Sequence, residues 1–330
     1  MHKALKTSEP YRIMTSNPAL TSGASAPSIP SSAKRKGRLT PWFFAAPGLT
    51  LLLLFLVLPF LLALVLSFTD QRLVTNEEIG THFVGLRNYI RLFDDDSFWA
   101  ALRNNFFFVV IVTPIQSALA LLLALLVNQK LAGARIFRTI YFMPVATTMA
   151  VVAVVWSLLY APDQGVINRL VGVLSFGMVG PQDWLRNPTL VMPAVMLLSI
   201  WQGVGFQMLV FLAGLQSIPL DLYEAAKLDG ATARQQFLYV TLPMLKNTTI
   251  FVLITTTIYA FQLFTQVQII ANSGTPAPVD SFRTMVMLMV QEGFSNGKIG
   301  YASAISVVFF LIVLAISLVQ RLLLKEERAV

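Results

Sequence analysis

Residues 224–230 read Glu224-Ala225-Ala226-Lys227-Leu228-Asp229-Gly230, and thirteen positions after Gly230 the stretch Val240-Thr241-Leu242-Pro243 closes. This polar segment stands between long apolar runs, so its own folding must be local. Pro219 suits the first turn of a helix, because its fixed φ is helical and its missing N–H would be unpaired there anyway. Ser217 or Asp221 is placed to cap that helix, which then runs from Leu222 to Leu228. Gly230 falls where a helix exit calls for positive φ. Thr232 followed by Gln235 is a capping-box pattern that starts a second helix through Arg234, Phe237 and Tyr239, with Pro243 as its expected end. The predicted unit is a helix-turn-helix carrying Tyr223, Leu228, Phe237 and Tyr239 as apolar knobs beside Glu224, Lys227, Asp229 and Arg234. Such a surface suits a protein groove, although a capped loop joining two membrane helices would show the same local signals.

The flanking runs decide the compartment. Of the 330 residues, 56% are hydrophobic and 12% charged, with a mean hydropathy of +0.69; soluble chains carry about 25% charged residues. Six segments match the length of about 20 apolar residues needed to cross a bilayer core: roughly 43–68, 105–127, 139–160, 189–215, 249–271 and 303–324. Apart from Arg321 near the end of the last, they contain no Asp, Glu, Lys, Arg or His. Ion-coupled carriers usually keep ionisable groups at membrane depth, so that chemistry is disfavoured.

Basic residues orient the chain. With a cytosolic N-terminus, sixteen Lys and Arg fall on the inner side and eight on the outer, which by the positive-inside rule places both termini and the Glu224 loop in the cytosol. The net charge of +8 is accounted for by a basic rim beside anionic lipid headgroups and calls for no nucleic-acid partner. Residues 1–41 include a Ser/Pro/Ala/Gly-rich run from Ser16 to Ala33 with no apolar period, expected to be a disordered cytosolic tail. The first apolar run begins too far from Met1, and is too long, to be a cleaved signal peptide. Cysteine is absent, which excludes disulfides and thiol chemistry.

No catalytic set is visible. Gly297-Lys298-Ile299 lacks the glycine spacing and the hydroxyl residue of a phosphate loop, so ATP hydrolysis is not expected of this chain. The acidic run Asp94-Asp95-Asp96 lacks the alternating spacing of a calcium loop and reads as a helix-capping cluster. Aromatic and charged residues between Phe83 and Trp99 predict a short amphipathic helix on the outer leaflet.

Two bands inside the apolar runs carry amides and rings. Ser199, Gly203 and Phe206 share one helical face, flanked by Gln202 and Gln207. Phe261, Gln262, Phe264, Thr265, Gln266 and Gln268 form the second band. Neutral amides and aromatic rings match the hydroxyls and C–H faces of a sugar; the same residues also serve helix–helix packing in membranes.

The spacing E-A-A, three residues, G, nine residues, an aliphatic, one residue, L-P resembles the loop that binding-protein-dependent ABC importers press into their ATPase subunits, with Val240 where isoleucine is usual. The likeness extends from about Trp42 to the C-terminus. Val84-Gly85-Leu86-Arg87-Asn88-Tyr89, Asn272-Ser273-Gly274-Thr275-Pro276, Gln291-Glu292-Gly293-Phe294 and Gly300-Tyr301-Ala302-Ser303-Ala304 resemble elements of carbohydrate permeases, of the maltose and sn-glycerol-3-phosphate type. Lys246-Asn247-Thr248 departs from the pattern, which often has a further proline there.

The resemblance implies an all-α polytopic membrane protein in which residues 42–330 form six transmembrane helices with a cytosolic helix-turn-helix coupling loop at 216–248. It implies a bacterial inner-membrane permease subunit for a sugar, without catalytic residues or a cofactor of its own, ATP and magnesium being bound by a partner. Its expected partners are a second permease in a heterodimer, an ATPase dimer, an extracytoplasmic solute-binding protein and membrane lipid. Tyr223, Glu224, Ala225, Ala226, Asp229, Gly230, Leu242 and Pro243 would meet the ATPase. Ser199, Gln202, Gly203, Phe206, Gln207, Phe261, Gln262 and Gln266 would line the substrate pocket, and both bands stand at distances from the Glu224 loop that resemble those of the pocket residues in maltose-type permeases. An ion-coupled carrier for a small polar solute and a permease for a polyol phosphate are the alternatives.

Overall fold

The structure is a computed structural model that describes residues 40–74, 80–129, 133–273 and 277–324. The tail expected at 1–41 lies almost wholly outside the described residues, as do Gly274, Thr275 and Pro276. The chain divides into two units, Met1–Leu56 and Val57–Val330. In the first, helix α1 (Thr40–Leu52) is exposed over its apolar length.

The second unit begins with α2 (Leu58–Leu66), followed by α3 (Arg87–Phe93) in the outer segment. Helix α4 (Asp96–Asn128) is capped by Asp95, whose carboxylate accepts from the Ser97 N–H at 2.9 Å; the acidic run therefore does act as a cap. Then come α5 (Ala134–Phe142), α6 (Met149–Leu159), α7 (Val166–Leu174) and the long α8 (Val191–Gln216). Two short helices follow, α9 (Leu220–Leu228) and α10 (Ala233–Gln236), and a further turn, α11 (Leu242–Met244). The chain ends with α12 (Lys246–Phe261), α13 (Thr265–Ala271), α14 (Met285–Val290) and α15 (Ile299–Leu324). Among the described residues the β-structure is one bridge, Thr69 to Phe83. Beside it the His82 N–H donates to Asp70, holding that carboxyl below its ordinary range.

Among the described residues five helical runs are long and apolar enough to cross a membrane, and a sixth is made by a bent pair. That pair is the third span in order. Ile136–Ala146 and Met149–Leu159 meet at 98°, where 139–160 reads in the sequence as one continuous helix. Pro144 has no N–H to give to a helical ladder, and Thr147 and Thr148 are extended, so the axis breaks there. The fifth span is also interrupted, between Phe261 and Thr265.

The core forms where α4 packs against α8 and α12. Ala120 and Ala124 face Phe211, Leu212 and Leu215 at one end; Phe108, Val109 and Val112 meet Phe261 and Val267 toward the other. Helix α15 closes the unit against α2, with the Phe60 and Phe310 rings 4.8 Å apart. Many other leucines and phenylalanines of these helices, among them Phe106, Phe107, Leu119, Leu122, Leu126, Leu197, Phe251, Leu311 and Leu318, are exposed. In a bilayer such surface faces hydrocarbon and costs nothing, which is why the helices can be apolar all round.

Candidate functional site

The amide and aromatic side chains of the two sequence bands come together around a cavity of about 470 Å³. Helix α8 contributes Ser199, Gln202, Gly203, Phe206 and Gln207; the broken fifth span contributes Gln262 and Gln266. Phe264 and Gln268 are not among the lining residues, and neither is Phe261. Phe261 is fully buried and packs edge-on against Phe106 and Phe309. Helix α12 ends at Phe261 itself, so its ring stays in the core while Gln262, Thr265 and Gln266 after it line the cavity.

Sequence reasoning missed the third wall. Phe108, Val112 and Gln116 of α4 line the cavity, Val145 and Met149 reach it from the two sides of the bend, and Thr256 and Tyr259 complete the α12 side. Gln116 is visible as an amide in the middle of an apolar run. Its direction is not, because that depends on α8 lying across from it.

The polar groups are partly satisfied within the wall. Gln266 Nε2 donates to Ser199 Oγ at 3.1 Å, and that hydroxyl donates to the Val195 carbonyl at 2.7 Å. Gln207 Nε2 donates to Thr256 Oγ1 at 2.5 Å, while Gln207 Oε1 is buried without a hydrogen bond. An unpaired amide oxygen costs roughly 1–3 kcal/mol when buried, and a hydroxyl-bearing solute would relieve it. No Asp, Glu, Lys, Arg or His is among the lining residues. Phe206, Tyr259 and Gln262 are exposed, so the cavity opens on their side.

At the far end of α8 lies the E-A-A segment. Gln207 and Ser217 are ten residues apart, which is about 15 Å along a helix. Gly230 has φ +77°, and Thr232 and Gln235 form the reciprocal capping box. Helix α9 starts at Leu220 with Pro219 before it, but neither Ser217 nor Asp221 caps it; the Ser217 hydroxyl donates instead to the Gly214 carbonyl at 2.8 Å. Pro243 does not end the second helix either. It sits in the first turn of α11, after the wide π-turn Phe237–Thr241; a proline is tolerated in a first turn, where its N–H would be unpaired. Tyr223 Oη and Thr241 Oγ1 lie 2.9 Å apart and tie α9 to that turn. Glu224, Ala225, Asp229, Gly230, Leu242 and Pro243 are exposed, Ala226 and Tyr223 half-buried. Leu228 and Tyr239 project as apolar knobs at 89% and 76% exposure, whereas Phe237 is half-buried.

A polytopic helical protein, with a charge-free cavity near the middle of its longest helices and an exposed helix-turn-helix at their ends, has the architecture of a membrane permease. The chain belongs to the family described as binding-protein-dependent transport system inner membrane component, whose model matches residues 97–328. It is 32% identical over 301 residues to the arabinooligosaccharides transport system permease protein AraP of Bacillus subtilis, covering 88% of this chain and 93% of that protein. It is 34% identical over 301 residues to the lactose transport system permease protein LacF of Rhizobium radiobacter, covering 90% and 98%. Among solved structures it resembles a chain of a bacterial ABC transporter involved in the import of the acidic polysaccharide alginate, with a TM-score of 0.74 at 21% identity, covering 88% of this chain and 97% of that one. That likeness is one of fold.

Proposed function

We propose that this chain forms one half of the translocation channel of an ATP-driven importer for a di- or oligosaccharide. The observation that carries the reading is the convergence of Gln116, Gln202, Gln207, Gln262 and Gln266 with Phe206 and Tyr259 around one uncharged cavity. Amides offer a donor and an acceptor each, as hydroxyls do, and rings pack on sugar C–H faces. An alginate-like or phosphorylated solute would bring anionic groups to a wall with no cation to receive them. The relatives named for arabinooligosaccharides and lactose support a sugar cargo.

The exposed side at Phe206, Tyr259 and Gln262 is the side a second permease would close, giving a heterodimeric channel. The E-A-A segment would dock in an ATPase subunit through Leu228, Tyr239 and the charges around Glu224, with both termini on the same cytosolic side. ATP and magnesium would then reside in the ATPase dimer, and this chain would need no cofactor or catalytic group. A solute-binding protein outside would deliver the sugar, and rigid-body rocking of the helices would pass it inward.

The test is uptake by the reconstituted transporter with its binding protein, using labelled lactose, maltose and an arabinooligosaccharide. Saturable, ATP-dependent uptake of one of them is expected. Uptake driven instead by a sodium or proton gradient, without ATP, would replace the importer reading by an ion-coupled carrier.

A further inference from the structure

The interruption of the fifth span beside the cavity is held from two other helices, and its geometry has a consequence for the pocket. Helix α12 ends at Phe261 and α13 begins at Thr265; Phe264 between them has φ −144° and ψ −61°, outside any helical region. A break inside a membrane span frees backbone carbonyls that need partners within the protein. Two of them are met by side chains. Asn105 Nδ2 on α4 donates to the Phe261 carbonyl at 3.1 Å, and Thr284 Oγ1 donates to the Leu263 carbonyl at 2.8 Å.

Asn105 is fully buried, and its other amide atom is engaged as well: Oδ1 accepts from the Met285 N–H at 2.7 Å, at the start of α14. The two backbone partners, one acceptor and one donor, leave a single orientation of the amide that satisfies both. One side chain therefore joins three elements at the point where the fifth span is broken. Gln262 stands inside that break and Gln266 is the second residue of α13, and both line the cavity. Thr284 is buried too, and caps α14 by accepting from the Met287 N–H at 3.4 Å.

We propose that Asn105, seconded by Thr284, is a positioning residue for the cavity: it fixes the broken fifth span so that Gln262 and Gln266 are presented to the solute. The inference rests on the pocket reading above. Asn105 does not line the cavity and acts through the backbone of Phe261. Its removal leaves the Phe261 carbonyl and the Met285 N–H unpaired, and the break then has reason to unwind or shift toward partners elsewhere.

The chain has no cysteine, so Gln262→Cys installs a single thiol in it. The experiment follows the rate at which N-ethylmaleimide modifies this subunit in the assembled, reconstituted transporter, by the mass of the chain. A Gln202→Cys reporter on α8, across the same cavity, is the control. In an Asn105→Ala background the Gln262→Cys rate is expected to rise about tenfold, the scale of one lost buried hydrogen bond, with the Gln202→Cys rate within about twofold of its original value. Thr284→Val, nearly isosteric and lacking the Leu263 bond, is expected to act in the same direction and carries the test if Asn105→Ala does not accumulate. An unchanged or lowered Gln262→Cys rate, or equal acceleration at both reporters, overturns the proposal. Protection of Gln262→Cys by lactose or maltose, presented with the binding protein, separates the two readings. Acceleration without protection keeps the clamp and removes the pocket; protection without acceleration removes the clamp and keeps the pocket.

Discussion

A Cβ built on Gly203 of α8 would stand 2.5 Å from Gln116 Nε2 of α4, so the glycine makes the space in which that amide lies. Two residues on, the close approach is of a different kind: a Cβ on Gly205 would come 2.0 Å from the Tyr141 carbonyl oxygen, which is backbone of α5. The end of a glutamine can swing away, whereas a helix cannot without moving its neighbours.

The two glycines should therefore answer differently to alanine. Gly203→Ala is expected to leave the assembled transporter as heat-stable as the parent while lowering sugar uptake, because the Gln116 amide is displaced in the cavity wall. Gly205→Ala is expected to cost about 1–3 kcal/mol through overpacking, visible as a lower unfolding temperature in detergent. Equal stability of the two variants would contradict the packing of α5 on α8.

The cavity amides make a second prediction. Gln262→Ala and Phe206→Ala should raise the sugar concentration for half-maximal uptake about three- to tenfold, the scale of one hydrogen bond or one ring contact. Co-purification of the ATPase should be unchanged, since the E-A-A segment lies a further helical stretch away. Phe261→Leu, a change in the core, should alter stability more than uptake. Uptake kinetics indifferent to changes at Ser199, Gly203, Phe206, Gln262 and Gln266 alike would mean that the glutamines only pack helices, or that a partner permease holds the sugar.

What could be read from the sequence follows from how local each signal is. The membrane spans are legible because an apolar length needs no neighbour to be recognised. The turn at Gly230 and the Thr232–Gln235 box are legible because capping is settled within four or five residues. The interruption at Gln262 has neither proline nor glycine to announce it; it is held by Asn105, 156 positions away from Phe261, and by Thr284. A band read as one continuous stretch through Phe261 therefore places that ring in the pocket, where the structure puts it in the core. Pro144 does announce the bend in the third span, but nothing near it tells that the axis turns by 98°. Gln116 was hidden for the same reason as Asn105, since only the partner helix tells which side of α4 matters.

The bond between Tyr223 and Thr241 links α9 to the turn that precedes α12. Tyr223→Phe keeps the ring and removes that bond, at a cost of about 1 kcal/mol. The variant should assemble normally but show reduced stimulation of ATP hydrolysis by the loaded binding protein, because α9 would no longer move with the turn that leads into α12. Wild-type stimulation in Tyr223→Phe would assign the hydroxyl to local folding alone.

Gly230 gives the sharpest expectation for coupling. Its φ is +77°, and nothing stands within 4 Å of where a Cβ would be. A side chain there meets no neighbour, so the whole cost is in the backbone: about 1–2 kcal/mol for an L-residue held in the left-handed region, least for Asn. Gly230→Val should distort the turn between α9 and α10 and uncouple ATP hydrolysis from uptake, while Gly230→Asn should retain most of both. Glu224→Lys reverses a charge on the same exposed face and should weaken docking mainly at low ionic strength, since exposed pairs are screened by salt. The measurements are co-purification of the ATPase and binding-protein-stimulated hydrolysis in proteoliposomes, at two salt concentrations. If Gly230→Val and Glu224→Lys both kept full stimulation and uptake, this segment would not be the docking surface, and an ion-coupled carrier would have to be reconsidered for the chain.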